Sequence, residues 1–250
     1  MKKNSHSEYL RVASDAFIAA TNEILDLYHK QPARMTVTDE FSMILIKIYQ
    51  NFMLDVMPSC QLLVDHHKFY SYAILCRSSL DIIIQIKWIL SLEGKDQEEA
   101  IKAFLSFEGV STDHKGKKFY EWQDEFTKKT TRQIAIDLNI DREAIIWPLT
   151  HNKDKELNLT VFDYLSKITH WNPRVIKDLV GYNKENHMGY TSEYFRMAIL
   201  ALEVFVYCAT TFAEIFMVYC LKLDDISVKD KTQNIRSEFQ QTLIKFYGEE

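Results

Sequence analysis

Hydrophobic residues recur along this chain with the spacing of amphipathic α-helices. In the first 30 residues, positions three or four apart form one apolar stripe: Leu10, Ala13, Phe17, Ala20, Ile24 and Leu27. A second stripe follows between residues 41 and 56. Two later segments, 72–92 and 194–221, are apolar on most of their circumference, which is typical of helices buried inside a protein. Because no alternating run is long enough to indicate a β-strand, the pattern predicts an all-α protein.

The small number of chain breakers indicates that these helices are long. The 250 residues include 6 glycines and 4 prolines, whereas average usage would give roughly three times as many. The hydrophobic fraction of 47% is ample for one core. We therefore expect a single helical bundle over residues 1–225, with a polar and partly irregular insertion around 109–157. Residues 226–250 are expected to form a polar tether and a C-terminal amphipathic helix at 235–247.

Each of the two strongly apolar segments carries a narrow polar stripe. The first has Arg77, Asp81 and Gln85 at four-residue spacing, and the second has four polar residues along one side: Glu203, Tyr207, Thr210 and Glu214. Charges on a buried helix are costly unless they are paired. The stripes therefore mark either an internal ion-pair network or a site. Arg77 is a candidate partner for Glu203 or Glu214.

A histidine downstream of the first stripe completes a candidate site. His170 lies where a predicted helix ends before a Trp-Asn-Pro turn, and a cation is favoured at the C-terminus of a helix. Arg77 and Asp81 can pair along their own helix. If His170 meets Asp81 in the core, as we expect, a carboxylate-oriented imidazole beside an arginine can perform acid–base chemistry on a phosphate ester. The alternative is a structural polar network that ties two helices together.

We therefore treat three residues as candidate catalytic groups and four others as candidate binding groups. The catalytic candidates are Arg77, Asp81 and His170. The binding candidates are Tyr164, Ser166, Glu203 and Glu214.

Two short stretches carry a resemblance to a known family. They are Arg77-Ser78-Ser79-Leu80-Asp81 and Tyr164-Leu165-Ser166-Lys167-Ile168-Thr169-His170. Together they resemble a family of uncharacterised bacterial helical proteins, a domain of unknown function whose members carry Arg-Ser-x-x-Glu on a buried helix and Tyr-x-x-Leu-Ser-x-x-x-His downstream. In this chain Asp81 stands in place of the glutamate, and Tyr164 directly precedes Leu165. The resemblance implies a helical bundle and a role in a bacterial phage-defence or toxin-like system. With the candidate residues, we expect an effector or accessory protein that acts on a nucleotide or RNA through a buried Arg/Asp/His pocket. The alternative is a non-enzymatic interaction or oligomerisation protein whose buried polar residues are structural.

The sequence predicts no metal and no cofactor. It has no glycine-rich phosphate loop and no Glu-x-x-His pair of the kind that di-iron bundles require. His66 and His67 are adjacent, so on a helix they face about 100° apart and suit one metal badly. The four cysteines lack Cys-x-x-Cys spacing and are expected as buried free thiols. The N-terminal residues lack an apolar signal core, so the expected location is the cytoplasm.

Charge and hydropathy bear on the partners of the protein. A net charge of −5 argues against a broad nucleic-acid surface. A local basic cluster is the weak exception: Lys115, Lys117, Lys118, Lys128, Lys129 and Arg132. Residues 197–221 are long enough to cross a bilayer, but Glu203 and Glu214 are expensive at membrane depth, which favours a buried soluble helix. A symmetric homo-oligomer is expected, with helix 235–247 as a docking element.

Overall fold

The computed structural model describes residues 6–30, 39–106, 165–166, 168–170, 173, 177, 179–182 and 188–247. Its helices are α1 (His6–His29), α2 (Glu40–Asn51), α3 (Met57–Asp65), α4 (Phe69–Ser91), α5 (Gly94–Ser106), α6 (Ser192–Glu214) and α7 (Asp225–Tyr247). The prediction of an all-α fold is confirmed. The predicted insertion around 109–157 and its basic cluster lie outside the described residues.

Local hydrogen bonds fix where several of these helices begin. The Asp39 carboxylate accepts from the backbone N–H of Ser42 at 2.7 Å and so caps α2. Thr191 caps α6 by accepting from the N–H of Tyr194 at 3.4 Å. The first residue of α5, Gly94, has φ of +57°, a backbone conformation that glycine adopts without steric cost and that turns the chain sharply after α4.

Helix α6 is the centre of the bundle. Every residue from 197 to 213 is buried, because α1, α4 and α7 all pack against this helix. Hydrogen bonds from Tyr72 to the carbonyl of Ala198 and from Cys76 to that of Ala201 show that α4 runs parallel to α6. Helix α7 runs antiparallel to α6. A helix surrounded in this way needs an apolar circumference, which the sequence supplies.

An aromatic layer joins α2 to the end of α6. Tyr49 stacks on Phe216 with ring centroids 4.2 Å apart, and Phe52 packs on Phe205 and Phe212. Each chain segment widens here into a π-helical turn, at Phe52–Val56 after α2 and at Ile215–Cys220 after α6. The first of these turns places Pro58 in the opening turn of α3, where its missing N–H is tolerated.

Two predicted boundaries are wrong. Residues 180–190 include a short antiparallel pair, β1 (Val180–Tyr182) and β2 (Met188–Tyr190), although the sequence has no alternating run long enough to indicate a β-strand. Residues 226–234 are helical and not a tether, since α7 already begins at Asp225. Asp224 accepts from the N–H of Ser227 at 2.8 Å and starts that helix.

The apolar face of helix α7 is buried inside the bundle. Ile235, Phe239 and Leu243 are buried in the core, so these residues of the proposed docking element are already covered by α1 and α6. The homo-oligomer itself stays a prediction.

One helical stretch of the described residues, Tyr194–Cys220, is long and apolar enough to cross a membrane. Within the fold, 89% of its most apolar window is buried. The hydropathy of this stretch is therefore accounted for by its place at the centre of the bundle.

Candidate functional site

Arg77 and Asp81 form an ion pair along α4. On one side of the pair Cys76 and Leu80 are buried in the core, and on the other Ser78 is exposed. The Arg77 side chain is only 13% exposed, whereas that of Asp81 is 34% exposed. The pair therefore lies at the boundary between the core and solvent, with its carboxylate turned to the wetter side.

A helical turn that ends at His170 packs against the same helix. The Tyr70 hydroxyl on α4 donates a hydrogen bond to the carbonyl of Ile168, and the N–H of His170 donates to the carbonyl of Ser166 at 3.0 Å. Tyr70 precedes Arg77 by seven residues, two turns of helix, so both lie on one face of α4. The turn is thus held over the face that carries the ion pair.

The charge of His170 reaches Asp81. Burial raises the pKa of the Asp81 carboxyl, while the Arg77 guanidinium and, more weakly, His170 oppose that rise. The imidazole of His170 is exposed, so the expectation of an Arg77, Asp81 and His170 group inside the core is wrong. The three residues, called the cluster below, therefore lie at the boundary of the core and not within it.

Of the two binding candidates near this turn, Ser166 and Tyr164, only Ser166 lies among the described residues. Ser166 is half-buried on the turn itself. Tyr164 lies outside the described residues. The catalytic and binding roles of all these residues stay predictions.

The polar stripe of α6 has a partner that the sequence analysis missed. Arg236 of α7 donates through Nε to Thr210, and through Nη2 to Thr211 and Glu214, both at 3.0 Å. Thr232, one turn earlier on α7, also donates to Glu214. The prediction that Arg77 serves Glu214 is therefore wrong. The sequence offered no signal for this pairing, because Glu214 and Arg236 are 22 positions apart and lie on different helices.

Tyr207 on the same stripe joins three helices. Lys87 of α4 donates to its hydroxyl at 3.0 Å, and the guanidinium carbon of Arg236 lies 5.1 Å from its ring centroid. A cation near the face of an aromatic ring is attracted by the ring quadrupole. Tyr207, Thr210 and Glu214 are thus engaged in holding α4 and α7 on α6, and this half of the stripe is a structural network.

Glu203 differs from the other polar residues of the α6 stripe in its hydrogen bonding. It is 5% exposed, and neither carboxylate oxygen has a hydrogen-bond partner among the described residues. The expected bond from Arg77 is therefore absent from the described part of the chain. The reason is register, since Arg236 lies level with Thr210, which is about 10 Å from Glu203 along the axis of α6.

The described residues contain no group of three or more His, Cys, Asp or Glu side chains that could hold a metal ion. Their cysteines are free thiols, with Cys60, Cys76 and Cys208 buried. Burial raises the pKa of each of these three thiols, so they act as small apolar side chains of the core and not as nucleophiles.

Comparisons of the chain with family models, curated proteins and solved structures give no match. The resemblance to a bacterial helical family stays a prediction.

Proposed function

We propose that this chain is an effector or accessory protein of a bacterial phage-defence or toxin-like system, and that it acts on a nucleotide or RNA through Arg77, Asp81 and His170. The observation that supports the proposal is the placement of Asp81. Its carboxylate pairs with Arg77 and also interacts with the exposed His170. These are the groups that acid–base chemistry on a phosphate ester uses.

Each residue has a distinct role in this proposal. The exposed imidazole of His170 exchanges a proton with the substrate, a role that histidine often has in acid–base catalysis. Asp81 orients the imidazole. Arg77 stabilises the negative charge of a phosphate oxygen, although its partial burial limits the ligand to the open side of the cluster.

A second candidate function is a non-enzymatic interaction protein whose polar residues only fix the register of the helices. The observation that favours it is the network of Arg236, in which one arginine of α7 binds three side chains of α6 and so fixes the register of the two helices. If the Arg77 pair serves the same purpose, it holds α4 in place and binds no ligand.

Variants of two exposed histidines separate the two functions. We expect His170→Ala to weaken binding of ATP or of single-stranded RNA by at least about tenfold, the effect of losing about 1.4 kcal/mol, and to leave the melting temperature unchanged. His66→Ala is the matched control, because His66 is also exposed but lies at the end of α3. Binding is measured by titration calorimetry, and RNA cleavage by gel electrophoresis.

Two outcomes contradict the proposed function. One is that the unmodified protein binds neither probe, and the other is that His170→Ala and His66→Ala bind equally well. A steep fall in melting temperature for both Arg77→Ala and His170→Ala supports the interaction protein, because a structural network loses stability when it is broken.

A further inference from the structure

The buried carboxyl of Glu203 has no role in the proposed cluster or in the network of Arg236. A buried polar group without a hydrogen bond costs free energy, and a buried unpaired charge costs far more. Native structures contain few such groups, and each one calls for an explanation. Glu203 is 5% exposed and has no hydrogen-bond partner among the described residues.

Helix register identifies the part of α7 that covers Glu203. Thr210 accepts from Arg236, and Glu203 lies seven residues before Thr210, about 10 Å along the axis of α6. Because α7 runs antiparallel to α6, seven residues after Arg236 brings the chain to Leu243. Two turns of helix preserve the face, so Glu203 lies on the side of α6 that faces α7 and level with Leu243, which is 1% exposed.

The two halves of α7 are held in different ways. Its N-terminal half is bonded to Thr210, Thr211 and Glu214 through Arg236 and Thr232. Its C-terminal half, residues 237–247, is held by burial of Phe239 and Leu243. Apolar contact next to a carboxyl is stable only while that carboxyl carries no charge.

Charged or titratable groups on the helices packed around α6 do not compensate for this burial. They include Tyr9 on α1, Arg77, Asp81 and Lys87 on α4, Arg236 on α7, and Arg196 on α6 itself. Within the described part of the chain, burial alone raises the pKa of the Glu203 carboxyl, to about 8. The group is therefore neutral in the packed state at pH 7 and ionises just above it.

We propose that Glu203 is a proton-operated latch for residues 237–247, which stay on α6 while its carboxyl is neutral and separate from α6 when it ionises. Separation lets water reach the carboxylate, and the bonds of Arg236 keep the N-terminal half of α7 attached. The latch depends on the contact between α6 and α7 and not on the function proposed for His170.

Hydrogen exchange of the full chain at pH 6 and pH 9 tests the latch. If the carboxyl has an ordinary pKa once it is hydrated, linkage raises the opening constant about a hundredfold between these two values. After correction for base-catalysed exchange, we therefore expect protection of residues 237–247 to fall by that factor. Protection within α4 is expected to stay constant.

Two variants complete the experiment. Glu203→Gln keeps the shape but cannot ionise, so its residues 237–247 are expected to remain protected at pH 9. Glu238→Gln is the matched control on the exposed face of α7 and is expected to behave like the unmodified protein. The latch is overturned if protection in the unmodified chain does not change, or if it falls equally in α4. It is also overturned if Glu203→Gln opens as the unmodified chain does.

Discussion

Two ion pairs of the described residues, Arg77–Asp81 and Arg236–Glu214, lie at the boundary of the core and differ in spacing and in surroundings. Arg77 and Asp81 lie on one helix and are 13% and 34% exposed. Arg236 and Glu214 lie on two helices and are 19% and 22% exposed. The second pair is extended by Thr210, Thr211 and Thr232, which donate or accept three further hydrogen bonds.

Whether the two partners of a pair lie on one helix or on two decides what a polar stripe on a buried helix indicates. A pair formed by i, i+4 spacing needs no second helix in order to form, and it leaves its outer side open to a ligand. A pair formed between helices needs side chains from both to converge, and it then fixes how the helices dock. The same residue types therefore mark a candidate site on α4 and a structural junction on α6.

The largest expected effect on stability comes from breaking the network of Arg236, which joins α7 to α6. Arg236→Met removes the donors of Thr211 and Glu214 and leaves a carboxylate with little solvent, so we expect a loss of about 3–5 kcal/mol in the free energy of unfolding. Urea denaturation at pH 7 measures it.

Arg11→Met is the matched control for that variant. Arg11 also pairs with an aspartate, Asp15, but their side chains are 68% and 72% exposed, so its loss is expected to be within about 0.5 kcal/mol. Equal effects of the two substitutions would show that the network of Arg236 contributes no more than a surface pair.

The next largest effect is a gain in the free energy of unfolding, and it is expected when Glu203 is replaced. Its pKa is raised from 4.5 to about 8 in the folded chain. The folded state therefore binds the proton more tightly, and the resulting stability is complete below pH 4.5 and is lost as the pH rises through 8. Glu203→Gln removes this loss, so we expect it to stabilise the protein at pH 7 by about 3 kcal/mol.

Denaturation at several pH values measures that difference. The unmodified protein and Glu203→Gln are expected to have similar stability near pH 4 and to diverge steadily up to pH 8. Parallel curves across this range would mean that the Glu203 carboxyl is solvated or paired and that the burial of its side chain is not complete.

The fold was predictable because it depends on a local property, the periodicity of apolar residues. The stripe from Leu10 to Leu27 predicts α1, and the apolar circumference of 194–221 predicts a buried central helix. The start of α7 was not predictable in the same way. Residues 226–234 are polar, and Thr232 becomes useful only when Glu214 of another helix lies beside it.

The candidate site was predictable only in its local part. The pairing of Arg77 with Asp81 follows from their spacing along one helix. The partner of Glu214 is Arg236, 22 positions away, and no sequence rule brings these two together. For the same reason the sequence could not show that Glu203 lies level with Leu243, because this depends on the register of two packed helices.

A smaller effect is expected for the pair on α4. Arg77→Met leaves Asp81 without its strongest partner, but a carboxylate with a 34% exposed side chain regains hydration from water. We therefore expect a loss of about 1–2 kcal/mol, between the values of surface and buried pairs. A double-mutant cycle with Asp81→Asn measures the coupling, and a coupling as large as that between Arg236 and Glu214 would remove the distinction between site and junction.

The smallest effect on stability, and the most direct test of the cluster, is expected for His170→Ala. Because His170 is exposed, the free energy of unfolding should change by no more than about 0.5 kcal/mol. The pKa of Asp81 should nevertheless rise, since the positive charge of His170 lowers it in the intact cluster. Carbon-detected NMR of the Asp81 carboxyl during an acid titration measures this rise, with His66→Ala as the control. If the pKa of Asp81 does not change, His170 lies too far from the carboxylate to share a site with it, and only the pair on α4 remains.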